Sequence, residues 1–285
     1  MARHLVAAGY EVSGWARRTE TVVEAAAAGI TMTATLAEMA HDREVVITML
    51  TASKDLIEVA IGEGGLVAQM AAGSVLVDMS TVSPEASREV AAACSARAVA
   101  FLDAPVSGGS FGALQATLSI MVGGEAATLE RVRPLLEVMG DPERIFHVGP
   151  VGAGEVVKLV NNMLVGTISA ATLEALLVGA RAGVPVQTLV DVVAASSGGS
   201  TQLTGQLVRR GLAGDFGPGF MTDLLVKDLR LAADLAEAGG RQIPLARLAL
   251  EQFEGSQRAG HGRDDYSALL LELEGQDEGG PVRLN

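Results

Sequence analysis

The chain has 285 residues, enough for one large domain or two, and its 49% apolar and 19% charged content supports a sizeable core and excludes a disordered chain. A net charge of -13 argues against a nucleic-acid or anionic-membrane partner, whose phosphates would repel it, though a local basic pocket stays open. The lone Cys94 excludes an internal disulfide and fits a reducing, cytoplasmic setting, and the scattered His4, His41, His147 and His261 match no metal-ligand spacing, so no metal site is expected.

The first residues, MARHLVAAGYEV, show no long apolar core and no small-residue cleavage site, so no signal peptide is evident. Short apolar strands are predicted over 12–15, 45–49, 75–79 and 99–102, alternating with Ala-rich helical stretches such as 21–28 and 84–93. A later strand over 119–122 is broken by Gly123-Gly124 ahead of a helix containing 129–139. This alternation predicts an α/β domain over 1–150, a parallel sheet covered by helices. After Gly149-Pro150 the period turns helical, over 154–183, 185–195, 201–211, 220–239 and 244–260, which predicts an all-α domain over 151–285. The most apolar stretch, 156–182, carries Lys158, Asn161, Asn162, Glu174 and Arg181 and reads as a buried helix, not a membrane span. The tail beyond Glu274 is expected to fray, and no internal repeat is visible.

An open parallel sheet binds ligands at the carboxyl ends of its strands. Arg17 and Arg18 follow the first strand with no acid between Gly14 and Thr19. They are either two solvated arginines or, in a dinucleotide-binding sheet, a grip on the 2′-phosphate. In DAPVSGG, Asp103 to Gly109, Pro105 ends the strand, Gly108 and Gly109 free the backbone to present N–H groups, and Ser107 adds a hydroxyl. The segment is either a plain turn or a carboxylate cradle. Its continuation, Gly108-Gly109-Ser110-Phe111-Gly112, matches a G-x-S-x-G nucleophile elbow, with His147 or His261 as the base; in a chain with 34 glycines, chance produces such matches. Lys158 and Asn162 stand four apart, on one face of an apolar helix. The lysine either snorkels to the surface or is held in a site, where burial would disfavour its charge and make it a proton donor or acceptor near neutral pH. Paired asparagines, Asn161 and Asn162, need buried partners. Lys227-Asp228 reads as a surface ion pair.

DAPVSGG followed by TLSIMVGG at 117–124, GPVGAGEVVKLVNN at 149–162, KDLRLA at 227–232, VVITML at 45–50 and VDMSTVSPEA at 77–86 together resemble the β-hydroxyacid dehydrogenase family, which includes 3-hydroxyisobutyrate dehydrogenases and tartronate semialdehyde reductases within a wider 6-phosphogluconate dehydrogenase-like group. The resemblance covers nearly the whole chain, in order. It implies a Rossmann-type domain joined to a helical domain by a long helix that also serves oligomerisation, as a homodimer or homotetramer. The implied activity is NADP-dependent, or NAD-dependent, interconversion of a small β-hydroxy acid or 2-hydroxy-3-oxo acid with its carbonyl form. Lys158 would be the catalytic lysine and Asn162 would orient it, with Asn161 beside the substrate. Ser107, Gly108 and Gly109 would hold the substrate carboxylate. Leu50, Thr51, Asp55 and Thr81 would line the cofactor, and Lys227 would close over it. Related imine reductases generally lack this lysine. A non-catalytic binding module and a serine hydrolase using Ser110 are the alternative classes.

Thr51 stands where the family usually has Pro, and Ala116 where it has Gly. The family also opens with a strand and a G-x-G-x-x-G loop that binds the pyrophosphate, and MARHLVAAGYEV resembles the helix after that loop. Without that central strand, each unpaired buried ladder group costs about 1–3 kcal/mol, so the expectation is a start placed upstream.

Overall fold

The computed structural model of the chain describes residues 1–217 and 219–275; the fraying expected beyond Glu274 falls outside them except for Gly275, the end of a helix. The chain forms two compact units, Met1–Lys158 and the residues from Leu159 onward.

In the first unit, β1 (Ser13–Gly14) and β2 (Thr31–Met32) pair in parallel as a sheet of their own. The main sheet holds β3 (Val45–Thr48), β4 (Val75–Asp78), β5 (Ala100–Asp103), β6 (Val106–Ser107), β7 (Leu118–Gly124) and β8 (Gly140–Gly149). Its order is β3-β4-β5-β7-β6, with β8 on β7. The predicted strand over 12–15 is therefore shorter than expected and stands apart from the main sheet.

The core of that sheet is the parallel, Rossmann-type part, β3-β4-β5, and alternation along it sorts the side chains onto two faces. Val75, Val77 and Leu102 join Leu118, Ile120, Leu129 and Leu136 in one core, while Val46, Leu76 and Phe101 join Leu56, Leu66, Val90 and Cys94 in another. A strand covered on both sides must be apolar throughout, which is why VLV reads as an unbroken run. Between β4 and β5 the helix Pro84–Ser95 starts where Ser83 accepts from the Ala86 N–H and Pro84 supplies a preset first turn.

Beyond β5 the sheet departs from the purely parallel expectation. Leu102, Asp103, Val106 and Ser107 face Gly124, Gly123, Ile120 and Ser119, one antiparallel ladder running through Pro105. The reading that Pro105 ends the strand is thereby corrected. Proline lacks an N–H, yet its carbonyl accepts from Met121 N at 3.0 Å, so pairing resumes one residue later. The strands β2, β6 and β8 were not legible in the pattern: two are two residues long, and GDPERIFHVG carries charge and proline on an exposed ribbon.

The second unit is helical. The helix Ala153–Arg181 runs into it, followed by Val186–Ala194, Thr201–Thr204, Gln206–Ala213, Thr222–Ala238, Pro244–Ser256 and Leu269–Gly275. Among the described residues its only β pairing is an isolated bridge between Met221 and Asp265. Leu173, Leu207, Leu225, Phe253 and Leu269 form its core. The helix expected over 201–211 is two helices, because the chain breaks at Gly205.

Ala153–Arg181 is long and apolar enough, by length and composition, to cross a membrane. The sequence reads this stretch as a buried helix, and in the structure a third of its most apolar part is buried (33%). Val157, Val160, Leu164 and Val178 stand exposed along it, at spacings of three, four and fourteen that keep them on one stripe.

Candidate active site

The carboxyl ends of β3 and β4 are bound to each other by a buried acid. Asp78 is fully buried, and its Oδ1 accepts from Ser80 Oγ at 2.6 Å and from Thr48 Oγ1 at 2.7 Å. Ser80 Oγ in turn accepts from Leu50 N at 2.8 Å. This relay fixes the backbone on which Leu50, Thr51 and Thr81 stand. Burial pushes the Asp78 carboxyl up to about 6 against the pull of these hydrogen bonds; Asp103, opposite it in register on β5, adds to the rise. Asp78 Oδ2 has no hydrogen-bond partner in the protein.

Arg17, at the end of β1, forms an ion pair with Asp55 at 3.2 Å, from a helix (Ser53–Ile61) that follows β3. The segment 14–19 contains no acid, but the fold brings one to it from 38 residues away. Arg18 and Thr51 are exposed. The guanidinium groups of Arg17 and Arg18 and the hydroxyls of Thr51 and Thr81 follow parallel strands and are the kinds of donor an anionic dinucleotide requires.

Beyond β5, Ser107 is half-buried, and Gly108 and Gly109 are exposed with φ of +131° and +61°. Both angles lie in the region that favours glycine. Ala116 sits at φ +55°, so the position where the family carries glycine is strained here by about 1–2 kcal/mol. Ser110 is the second residue of the helix Gly109–Gln115 and lacks the positive φ of Gly108 and Gly109; the strained strand-to-helix turn of a nucleophile elbow is absent. His147 Nε2 is engaged with Gly124 O at 2.8 Å, and His261 Nδ1 with Asp264 Oδ2 at 2.8 Å.

Lys158 is 8% exposed, so it does not snorkel into solvent, and Asn162, one turn further along the same helix, is 2% exposed. In the second unit Asn161 Nδ2 donates to Asn162 Oδ1 at 2.9 Å, and Asn162 Nδ2 to Asp228 Oδ2 at 2.5 Å. Asp228 Oδ1 pairs with Lys227 Nζ at 2.8 Å; it accepts no well-directed hydrogen bond and is held by charge. The surface-pair reading of Lys227-Asp228 is thus corrected. Asp228 is 2% exposed, because it is the acceptor that a buried asparagine amide requires. Asp78, Asp103, Glu155 and Asp228 carry this architecture, and the sequence reading gave them no role; a signal was that each lies inside a segment shared with the family.

Residues 1–149 match the family described as the NAD binding domain of 6-phosphogluconate dehydrogenase, and residues 152–273 the one described as NAD-binding of NADP-dependent 3-hydroxyisobutyrate dehydrogenase. The chain is 36% identical to 2-(hydroxymethyl)glutarate dehydrogenase of Eubacterium barkeri, over 95% of this chain and 89% of that one. It is 37% identical to 3-hydroxyisobutyrate dehydrogenase of Pseudomonas aeruginosa, over 97% and 95%. Among solved structures, 3-hydroxyisobutyrate dehydrogenase of Mycobacterium tuberculosis with L-serine superposes with a TM-score of 0.86 at 33% identity, covering 95% of this chain and 94% of that one. The chain belongs to the β-hydroxyacid dehydrogenase family: it is an NAD(P)-dependent oxidoreductase that works by hydride transfer on small hydroxy acids.

Proposed function

We propose that this β-hydroxyacid dehydrogenase interconverts the primary alcohol of a small 2-substituted 3-hydroxypropanoate with its aldehyde, and that Lys158 exchanges the hydroxyl proton. The 2-(hydroxymethyl)glutarate, 3-hydroxyisobutyrate and L-serine named for its relatives all contain a CH2OH group one carbon from a carboxylate. The observation that carries the reading is Lys158, a lysine side chain buried one helical turn from a buried asparagine.

The nicotinamide, when bound, supplies the hydride acceptor or donor. The chain's own residues do the rest. Ser107 and the N–H groups of Gly108 and Gly109 hold the substrate carboxylate, with Asn161 beside the substrate. Lys158 takes the hydroxyl proton in oxidation and returns it to the developing alkoxide in reduction. Asn162, its amide fixed between Asn161 and Asp228, orients this centre. Leu50, Thr51, Asp55 and Thr81 line the cofactor, and Lys227, steadied by Asp228, closes over it. Arg17 and Arg18 favour NADP over NAD, with Asp55 holding Arg17.

In this reading residues 1–150 bind the cofactor, and residues 151–285 shape the substrate pocket and build a homodimer or homotetramer. Support for the oligomer comes from the exposed apolar stripe on Ala153–Arg181, more than a solvated helix face carries. The setting is cytoplasmic, in keeping with a single, buried Cys94 whose thiol burial pushes up to about 12.

The test is Lys158→Ala assayed with a panel of 3-hydroxypropanoates. The expected kcat falls by about 10²–10⁴-fold, the usual weight of general acid–base catalysis, with cofactor Kd within about twofold. Near-normal turnover refutes the mechanism.

A further inference from the structure

The helix that carries Lys158 begins without a cap of its own. The residues leading into it, Gly149-Pro150-Val151-Gly152, contain no Ser, Thr, Asn or Asp, yet the first N–H groups of a helix need acceptors. They find them far away in sequence. Asp103, fully buried at the end of β5, accepts from Gly152 N through Oδ1 at 2.7 Å and from Glu155 N through Oδ2 at 3.1 Å. Room for this carboxylate is made by glycines. A Cβ on Gly123 would lie 2.5 Å from Asp103 Oδ1, and one on Gly154 would lie 2.8 Å from Oδ2 and 2.4 Å from Met121 O.

A second tie comes from the helix itself. Glu155, also fully buried, accepts from Val82 N through Oε2 at 3.1 Å, in the turn after β4. The first helical turn is therefore clamped to two strand ends by two buried carboxylates. Those strand ends carry the segments already assigned to ligands: Ser107 to Gly109 begin four residues after Asp103, and Thr81 precedes Val82.

A single serine or asparagine would cap the helix with far less desolvation, so capping alone does not account for two buried acids. Two acceptors on one rigid carboxylate, together with a second carboxylate on another strand end, do something more. They fix both the slide of the helix along its axis and its rotation about it. Lys158 is three residues past Glu155, one turn on, so either displacement would be carried straight to its ammonium.

Building on the assignment of Lys158 as proton donor, we propose that Asp103 and Glu155 are positioning residues for the proton transfer: they hold the Lys158 helix in register with the Ser107–Gly109 loop and the Thr81 turn. Neither touches the substrate. Their work is to keep the donor in reach, and a misplacement near 1 Å costs up to about a hundredfold in rate.

The experiment uses the full chain with Asp103→Asn and, as the milder change, Glu155→Gln, each alone and combined with Lys158→Ala. Single-turnover rates, KM, cofactor Kd and the pH dependence of kcat are measured. Each isosteric variant is expected to lower kcat about tenfold or more, with cofactor Kd within about twofold, and to displace the limb of the pH profile that Lys158→Ala abolishes. In the Lys158→Ala background the same changes are expected to matter less than about twofold, because groups acting as a unit are not additive. A loss equal in both backgrounds, or a lowered Tm with kcat and pH profile unmoved, overturns the positioning role while leaving Lys158 as donor. An unchanged kcat in Lys158→Ala alone overturns the donor assignment, and this inference with it.

Discussion

Replacing Asp78 by Asn isolates the cost of a buried charge at the carboxyl end of β4. Its carboxyl is raised from the ordinary 3.8 to about 6, burial being the main cause. The folded protein thus holds this proton more tightly than the unfolded chain does. Stability is fullest below about pH 4 and is lost as the pH climbs through the folded-state value near 6. A shift of about two units corresponds to a loss of about 3 kcal/mol, complete by about pH 7. Asparagine keeps the Oδ1 acceptor for Thr48 and Ser80 and never ionises. It also resembles the protonated acid in leaving one polar atom at the Oδ2 position unpartnered. Asp78→Asn and the parent should therefore match in stability near pH 4 and diverge by up to about 3 kcal/mol in favour of the variant at pH 7.5. Urea unfolding at half-unit pH steps measures the difference, in which all other titrations cancel. Cofactor Kd should stay within about twofold, since the Asp78–Ser80–Leu50 relay survives. A stability difference that does not vary between pH 4 and pH 7.5 would refute the reasoning.

The double replacement Arg17→Ala with Arg18→Ala should weaken NADPH binding by about 10–100-fold, the worth of a charge-assisted phosphate contact, and leave NADH within about twofold. Fluorescence titration of both cofactors decides it, and an equal loss for both removes the 2′-phosphate assignment. For the apolar stripe, Leu164→Lys with Val178→Lys should reduce the assembled mass in sedimentation by at least half, because two ammonium groups cannot be desolvated in an apolar contact. An unaltered mass would show that the stripe is not the subunit interface.

Much of the fold was legible because it is written locally. The apolar runs at 45–49, 75–79 and 99–102 became β3, β4 and β5 to within one residue at each end, and the helical period after residue 153 became the helices of the second unit. The two polar residues of the long helix stood out for the same reason. Lys158 and Asn162 advertise themselves as polar residues at helical spacing in an apolar helix, and both are buried. Where local signals were read too literally they misled. Proline was taken to end a strand because it lacks a donor, whereas the ladder needed only its carbonyl. Lys227-Asp228 was read as a surface pair because charged neighbours usually are, whereas Asp228 is the partner of an asparagine 66 residues away.

The carboxylates could not have been found this way, and the reason lies in what they do. A residue that performs chemistry must have a particular identity, so it leaves a motif. A residue that fixes geometry is defined by its partner, and here the partners are remote: Asp103 serves N–H groups 49 and 52 residues on, and Glu155 serves one 73 residues back. On sequence alone Asp103 is one more acid in a chain with 34 of them. Only the pairing of β5 with β7, which sets Gly123 directly opposite Asp103, and the arrival of Gly152 and Gly154 on the same carboxylate turn it into an anchor. The glycines were the visible half of this arrangement, since a helix start written Gly-Ala-Gly, weak by propensity, makes sense only if something must approach its backbone closely. The approaching group is Asp103, and its reach across the fold links the position of Lys158 to the strand that continues into the Ser107–Gly109 loop.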